Sequence, residues 1–456
     1  MAHRRISRLM ALLLALTMFA ASCGDSDDAA DDTANGAGAT EGAAASSSST
    51  TPASTETGNA SGSDVEATGV GDGVLTFGTL LPVTGDLSFL GPPEIAAARL
   101  AVQDINAAGG VNGADVRLIE GDSGDTNTDI ANPTTDRLLS GGADVIIGAA
   151  SSAVTKLVID KITGAGVIQF SPANTSDDFT NYDDHGLFFR TAPPDQIQGQ
   201  VLANLLAQDG HQTVGIIYRQ ESYGEGLAAR IGEVFEQLGG EVVESIPYAP
   251  DTDNFDPEVD QLVSANPDAI VVVGFNESAN ILTTMHERGI GPTAKPVYGV
   301  DGNIAGVGAK LSDPSIIKGM KGTEPSVDVS TIKAFTDRLN TAYEGGVAGV
   351  FTYGAEAYDA MVISALATEI AGTDEPTAVA REINGVTKDG TKCTTFATCK
   401  ELVGAGEDID YDGLGGPYEF VDAGEPKEGS YRIATYTGGT TPDPALNVFV
   451  FATLQP

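Results

Sequence analysis

The chain has 456 residues, 41% of them hydrophobic, and a formal net charge of −40. A chain of this length can bury a large core and usually forms more than one domain. A nucleic-acid partner is excluded, because phosphate binding needs clustered Lys and Arg, and the chain has 24 such residues against 64 acidic ones. The charge favours solubility and says little about the fold.

Residues 1–22 are a predicted export signal. Three arginines within the first eight residues precede an apolar region, Leu9 to Ala21, that is too short to span a membrane. Small residues then lead to Cys23, a pattern that resembles the lipobox of bacterial lipoproteins, although Ala20 stands where Leu is usual. The resemblance implies acylation of Cys23 and a lipid anchor on the outer face of the cytoplasmic membrane. An ordinary cleaved signal peptide is the alternative.

Residues 23–72 have the composition of a disordered tether. They are rich in Ala, Ser, Thr, Gly and Asp, and they contain no Lys or Arg. Such a segment buries too little apolar surface to offset its ordering entropy. We expect it to connect the lipid to the folded part of the chain.

From residue 73 onward, short apolar runs alternate with helix-length segments. One such segment, 92–108, is a predicted helix with prolines at its start and two glycines after its end. The apolar runs lie at 75–81, 116–119, 144–147, 166–170, 213–218 and 269–273. Apolar runs without alternation are typical of parallel strands covered by helices on both faces, so the predicted fold class is α/β. Ligands in such folds bind at the carboxyl ends of the strands.

Several motifs resemble one family of binding proteins. The stretches 78–85 and 91–113 are similar to the leucine/isoleucine/valine-binding proteins, which are type I periplasmic binding proteins of ABC importers. The segments Ser171–Thr175, Tyr223–Gly226 and Tyr353–Ala360 match in the same order and spacing. The resemblance covers residue 74 to the C-terminus. It implies two α/β lobes, joined by three crossings, that hold a solute in the cleft between them.

The resemblance also divides the chain. An N-terminal lobe is expected from residues 73–192 and 323–417. A C-terminal lobe is expected from residues 193–322 and 418–456, with the first crossing near the Pro193–Pro194 pair. A monomer is the usual state in this family.

The resemblance places the solute-binding residues one at a time. Ser152, with Ser151 beside it, matches the loop that binds the solute carboxylate. The carbonyl of Ala173 is expected to accept from the solute ammonium, and the amide and hydroxyl of Thr175 to bind the carboxylate. Asp301 occupies the position of the acid that pairs with the ammonium, where leucine-specific members often have Glu.

Aromatic and aliphatic residues complete the expected pocket. Tyr223 matches the aromatic residue that closes over the solute. Apolar contact to the solute side chain is assigned to Phe89, Leu90, Phe275 and Tyr353. Simpler interpretations exist for the polar residues, since Ser and Thr often cap helices after strands, and Asp commonly occupies turns. Capping and carboxylate binding are compatible, because helix N-terminal amides bind anions.

Two further features of the sequence concern cysteines and carboxylates. Cys393 and Cys399 are predicted to form a disulfide, because exported proteins retain disulfides and no metal-ligand spacing is nearby. The segment Asp408–Glu419 fits the spacing of a calcium-binding EF-hand loop, but Gly and Pro follow where a helix is required. We therefore assign no metal to it.

The sequence contains no recognisable catalytic constellation. It has no nucleophile elbow, phosphate-binding loop or dinucleotide fingerprint, and its four histidines stand apart from any metal-ligand spacing. We expect no enzyme activity and no cofactor. The predicted function is capture of an amino acid for an ABC permease. The alternatives are a solute sensor, a binder of an amide, urea or a small carboxylate, and a secreted hydrolase.

Overall fold

The computed structural model describes residues 71–454, which form two α/β lobes with a cleft between them. The predicted signal peptide, Cys23 and nearly all of the predicted tether lie outside the described residues. No helix between residues 71 and 454 combines the length and apolar character that crossing a membrane requires.

The N-terminal lobe is built on a five-stranded parallel sheet with the order β2-β1-β3-β4-β5. Its strands are β1 Thr76–Leu80, β2 Arg117–Ile119, β3 Val145–Gly148, β4 Ile168–Ser171 and β5 Phe188–Arg190. Its first helices are α1 Gly91–Ala107, α2 Ala131–Ser140 and α3 Ser152–Gly164. Strands β1, β3 and β4 are buried along their whole length, as expected for a sheet covered on both faces.

The C-terminal lobe begins after the two prolines at 193–194. Its helices are α4 Asp195–Gln208, α5 Ser222–Gln237, α6 Asp256–Ala265, α7 Ser278–Glu287, α8 Asp301–Ile304 and α9 Val307–Lys310. Its strands in this part of the chain are β6 Thr213–Arg219, β7 Glu241–Tyr248, β8 Ala269–Val273, β9 Val297–Gly299 and β10 Lys321–Pro325. These five strands are parallel, and β8 is wholly buried.

The chain then returns to the N-terminal lobe. The returning elements are α10 Lys333–Ala342, α11 Gly354–Ala371, α12 Pro376–Ile383, β11 Thr391–Cys393, α13 Phe396–Gly404 and β12 Ile409–Tyr411. Helix α11 packs against α1 and over β3 and β4, and its residues from Gly354 to Thr368 are all buried. Its apolar residues lie on every side of the helix, interrupted by the buried acids Glu356 and Asp359, so the segment belongs in the core.

The last two strands complete the C-terminal lobe. β13 Glu428–Thr435 pairs antiparallel with β10, and β14 Val448–Thr453 pairs antiparallel with β13. The finished sheet has seven strands in the order β14-β13-β10-β9-β8-β6-β7. The chain therefore passes between the two sheets three times: after β5, after β10 and after β12. The predicted α/β fold with two lobes is confirmed.

Candidate functional site

A cavity of about 20 Å³ lies in the cleft, at the carboxyl ends of strands from both lobes. Nine of the ten residues assigned from the sequence line it: Leu90, Ser151, Ser152, Ala173, Thr175, Tyr223, Phe275, Asp301 and Tyr353. Three further lining residues were not anticipated: Leu87, Ala150 and Gly302. Phe89 does not line the cavity; its ring lies against the backbone near Gly306. We call this space the solute cavity.

The loop after β3 brings the N-terminus of α3 to the solute cavity. Ser151 is the N-cap of α3, and its hydroxyl oxygen accepts from the amide of Val154 at 3.3 Å. Ser151 is therefore the capping residue, and Ser152 is the first residue of the helix. The first amides of a helix have no acceptor within it, and they favour an anion. The side chain of Ser152 is 2% exposed and faces the same space.

The loop after β4 is fastened to the loop after β3 by two polar side chains. The hydroxyl of Ser171 donates to the carbonyl of Ala149 at 2.7 Å and accepts from the amide of Asn174 at 2.9 Å. The side-chain amide of Asn174 donates to the carbonyl of Ala150 at 2.8 Å. These bonds fix the backbone that presents Ala173 to the solute cavity.

Thr175 does not cap a helix in the structure. The neighbouring Ser176 caps the short 3-10 helix Asp177–Phe179 by accepting from the amide of Asp178 at 3.3 Å. Thr175 is 1% exposed, and its carbonyl accepts from the amide of Asp195 at 2.7 Å. Thr175 lines the solute cavity close to the carboxyl of Asp195.

Asp301 is the carboxylate of the solute cavity and lies where β9 ends and α8 begins. The hydroxyl of Tyr223 donates to Oδ1 and that of Tyr353 donates to Oδ2, each at 2.7 Å. Burial raises the pKa of the Asp301 carboxyl, and the two tyrosine bonds act against that rise. Tyr353 precedes α11 of the N-terminal lobe, so its bond to Asp301 crosses the cleft. Asp301 is thus held by side chains and does not act as a turn residue.

Aromatic rings form one wall of the solute cavity. The rings of Tyr223 and Phe275 stack with centroids 5.5 Å apart and an angle of 17° between their planes. Tyr353 adopts a left-handed backbone conformation with φ of 60°, which is uncommon for residues other than glycine. Leu87 and Leu90 add aliphatic surface from the N-terminal lobe. The wall is suited to an apolar solute side chain.

The charges around the solute cavity are unequal. Asp301 is the one carboxylate among the lining residues, and Lys and Arg are absent from that lining within residues 71–454. An anion would therefore be bound by neutral hydroxyls and helix amides, and a cation by Asp301. This combination fits a small zwitterion.

Sequence reasoning missed a second buried acid behind this site. Asp195, the first residue of α4, is fully buried, and its carboxyl oxygens have no hydrogen-bond partner within the described part of the chain. Burial raises the pKa of Asp195 well above its ordinary value, and the charge of Asp301 raises it further. The only signal in the sequence was an acid directly after two prolines and before an apolar helix.

The remaining predicted features lie away from the cleft. Cys393 and Cys399 form a disulfide between the end of β11 and helix α13. In the segment Asp408–Glu419, the carboxylates of Asp410 and Asp412 lie 2.8 and 3.0 Å from Lys392. Both carboxylates are therefore paired with Lys392, and Glu419 lies 2.9 Å from Lys427. Across residues 71–454, no group of three or more His, Cys, Asp or Glu side chains is arranged to hold a metal.

Known proteins share this sequence and architecture. Residues 74–440 match the family described as periplasmic binding protein. A chemotactic signal transduction system substrate-binding protein, BasB of Halobacterium salinarum, is 28% identical over 80% of this chain and 87% of its own length. A leucine-, isoleucine-, valine-, threonine- and alanine-binding protein of Pseudomonas aeruginosa is 27% identical over 67% of this chain and 81% of its own length.

A solved structure shares the fold over nearly its whole length. The branched-chain amino acid transporter substrate-binding protein LivJ of Streptococcus pneumoniae, in complex with isoleucine, superposes with a TM-score of 0.67. It is 22% identical and covers 83% of this chain and 99% of its own. The chain therefore belongs to the periplasmic binding protein family, as its resemblance to the leucine/isoleucine/valine-binding proteins predicted.

Proposed function

We propose that the chain is an exported solute-binding lipoprotein that captures an amino acid in the solute cavity and delivers it to an ABC permease. The observation that carries this proposal is the position of Asp301 across the cavity from the N-terminus of α3. One end of the cavity offers donors for a carboxylate, and the other offers an acceptor for an ammonium.

The chemistry of a zwitterion accounts for each polar group. The carboxylate would be bound by Ser152, the hydroxyl and amide of Thr175 and the free amides of α3, because buried charges need hydrogen-bond partners. The ammonium would be bound by Asp301 and by the carbonyl of Ala173. Charge-assisted hydrogen bonds of this kind are about twice as strong as neutral ones.

The apolar wall selects the solute side chain. Leu87, Leu90, Phe275 and the rings of Tyr223 and Tyr353 surround the cavity without adding a charge. A branched aliphatic side chain gains about 25 cal/mol for each Å² of apolar surface that it buries there. The names of similar proteins support the same class of solute. One is a leucine-, isoleucine-, valine-, threonine- and alanine-binding protein, and a similar solved structure contains isoleucine.

Delivery to a permease would depend on closure of the two lobes around the solute. A solute that contacts both lobes binds the closed form more tightly, and it shifts the population toward that form. The permease would recognise the closed form. Export and the lipid on Cys23 would hold the protein next to the membrane.

A sensor is the second candidate, because one relative is named as part of a chemotactic signal transduction system. Both functions use the same solute cavity, so binding alone does not separate them. Uptake of radiolabelled leucine, compared between cells with and without the gene, separates the two functions. Loss of uptake supports the importer, whereas unchanged uptake with lost attraction to leucine supports the sensor.

A thermal-shift panel tests the solute class. The purified protein is heated with each α-amino acid, with amides and urea, and with small carboxylates. A solute present at 100 times its dissociation constant adds about 2.7 kcal/mol to the free energy of unfolding. We expect branched-chain amino acids to raise the midpoint. A shift with amides, urea or carboxylates alone would contradict the role given to Asp301.

A further inference from the structure

A buried arginine lies beside the solute cavity and is paired with acids from both lobes. Arg219, the last residue of β6, has a side chain that is 1% exposed. Its guanidinium nitrogens lie 3.0 Å from Asp86, 3.2 Å from Glu277 and 3.8 Å from Glu221. The two glutamates belong to the C-terminal lobe, but Asp86 belongs to the loop between β1 and α1 of the N-terminal lobe. The ion pair between Asp86 and Arg219 therefore crosses the cleft.

The same arginine supports the aromatic wall. Its guanidinium lies over the ring of Phe275, 4.9 Å from the centroid, as in a cation–π contact. Phe275 stacks on Tyr223, and the Tyr223 hydroxyl donates to Asp301. These contacts connect Arg219 to Asp301 through the rings of Phe275 and Tyr223. The position of Arg219 therefore limits the position of Asp301.

We propose that Asp86 and Arg219 are positioning residues for solute capture, whose ion pair forms on closure of the lobes and holds Phe275 and Tyr223 against the solute. The proposal rests on the proposed function, because it requires a cleft that closes around a solute. When the lobes separate, Glu221 and Glu277 stay with Arg219 on the C-terminal lobe, and Asp86 leaves with the other lobe. The pair therefore contributes to solute affinity and not to the stability of the open protein.

The two neighbouring glutamates do not fully neutralise Arg219, so its charge is available to Asp86. Burial raises the pKa of Glu221 to about 7, so near neutral pH this carboxyl is partly protonated. Glu277 is also engaged by the hydroxyl of Tyr248, which donates to Oε1 at 2.7 Å. Burial raises the pKa of Asp86, and the charge of Arg219 acts against that rise. When the lobes close, Asp86 therefore gains the ion pair with Arg219.

Asp86→Asn in the full chain tests the proposal with leucine as the probe. Asparagine keeps the shape of the side chain and removes its charge. We expect leucine to bind about fivefold more weakly, and salt should screen little of this loss because the pair is largely buried. The melting midpoint without leucine should not change. Asp129→Asn is the matched control, since Asp129 is an exposed acid of the same lobe and makes no ion pair with Arg219.

A double-mutant cycle with Arg219→Gln assigns the effect to the pair. If Asp86 acts through Arg219, Asp86→Asn should cost affinity in the wild-type background and almost none in the Arg219→Gln background. Should Arg219→Gln fail to fold, Asp86→Glu decides, because it restores the charge and should recover most of the lost affinity. Leucine affinity of Asp86→Asn within twofold of wild type, or an Asp86→Glu variant that binds no better than Asp86→Asn, would overturn the proposal. Wild-type protein that binds no amino acid would overturn the proposed function and this proposal with it.

Discussion

At the scale of single residues, both oxygens of the Asp301 carboxylate are hydrogen-bonded in the closed cleft. One bond comes from the hydroxyl of Tyr223 in the same lobe, and the other from the hydroxyl of Tyr353 in the opposite lobe. The bond from Tyr223 remains when the lobes separate, and a carboxylate oriented in this way would lose little freedom on binding an ammonium. Aspartate is one methylene shorter than the glutamate of leucine-specific relatives, so the solute is expected to sit closer to the C-terminal lobe.

The first prediction concerns Asp301→Asn. The amide keeps the size of the side chain but cannot pair with an ammonium, so leucine affinity should fall about 100-fold or more, in line with the ~3 kcal/mol of a charged hydrogen bond. Titration calorimetry measures the change. Asp313→Asn, an exposed acid of the same lobe, is the control and should bind leucine normally. Equal affinity in wild type and Asp301→Asn would remove Asp301 from the site.

The second prediction concerns the pH dependence of stability at Glu356. Burial, together with the charges of Asp359 and Glu324, raises the pKa of Glu356 to about 8. A carboxyl whose pKa is raised in the folded state is destabilising once ionised, so its contribution to stability is lost as the pH rises from about 4.5 to about 8. Glutamine cannot ionise. Wild type should therefore lose as much as about 4 kcal/mol more unfolding free energy than Glu356→Gln between pH 5 and pH 9.

Urea unfolding of both proteins at the two pH values measures this difference. Groups that do not interact with Glu356 titrate equally in the two proteins and cancel in the comparison. Parallel losses of stability in wild type and Glu356→Gln would show that Glu356 is not held in its neutral form.

At the scale of elements, the site depends on loops that follow strands and on the helices that fix them. The N-terminus of α3 supplies amides, and the bonds from Ser171 and Asn174 join the loops after β3 and β4. The disulfide between β11 and α13 lies in another part of the N-terminal lobe. It is expected to stabilise that lobe without touching the solute cavity.

The third prediction separates stability from binding through this disulfide. Closing a loop of this length removes chain entropy from the unfolded state and contributes about 2 kcal/mol. Replacing both Cys393 and Cys399 with alanine should lower the unfolding free energy by about that amount and leave leucine affinity unchanged. Wild type in reductant provides the control and should match the variant. A variant that equals oxidised wild type in stability would contradict the account of this loop.

At the scale of the whole molecule, contacts across the cleft indicate a closed form. The Tyr353 hydroxyl reaches Asp301 from the other lobe at 2.7 Å, and Asp86 reaches Arg219 at 3.0 Å. The cavity between the lobes is correspondingly small, at about 20 Å³. A solute of amino-acid size can enter only when these contacts open.

The fourth prediction follows from that geometry. Without solute, part of the population should be open, and saturating leucine should shift it to the closed form. Small-angle X-ray scattering measures the change as a smaller radius of gyration with leucine than without it. Glycerol at equal concentration serves as the control. Identical scattering in the two states would argue against closure around the solute.

The fold and the lining of the site could be predicted from local patterns. The apolar run 269–273 coincides with β8, and the helix expected at 92–108 is observed at Gly91–Ala107. Family motifs placed nine residues that all line the solute cavity. Local patterns could not indicate the pair of Asp86 and Arg219, because its members are far apart in sequence and meet only when two lobes come together.

Other misses have similar causes. The antiparallel strands β13 and β14 were not predicted. β13 mixes polar and apolar residues, and β14 is a partly exposed apolar strand at the edge of the sheet. Ser151 and Ser152 are adjacent and chemically alike, so only the backbone shows that Ser151 is the cap and Ser152 the first helical residue. Asp195 is acidic but wholly buried, which composition would not indicate, since aspartate is usually exposed.

The most direct test of amino-acid capture is titration calorimetry with leucine and its two truncated analogues. 4-Methylpentanoate keeps the carboxylate and side chain without the ammonium, and 3-methylbutylamine keeps the ammonium and side chain without the carboxylate. If Asp301 and the N-terminus of α3 bind opposite ends of a zwitterion, leucine should bind and each analogue should bind at least 100-fold more weakly, since each leaves a buried charge or donor unpaired. Equal binding of leucine and 4-methylpentanoate would contradict recognition of the ammonium, and with it the assignment of the solute as an amino acid.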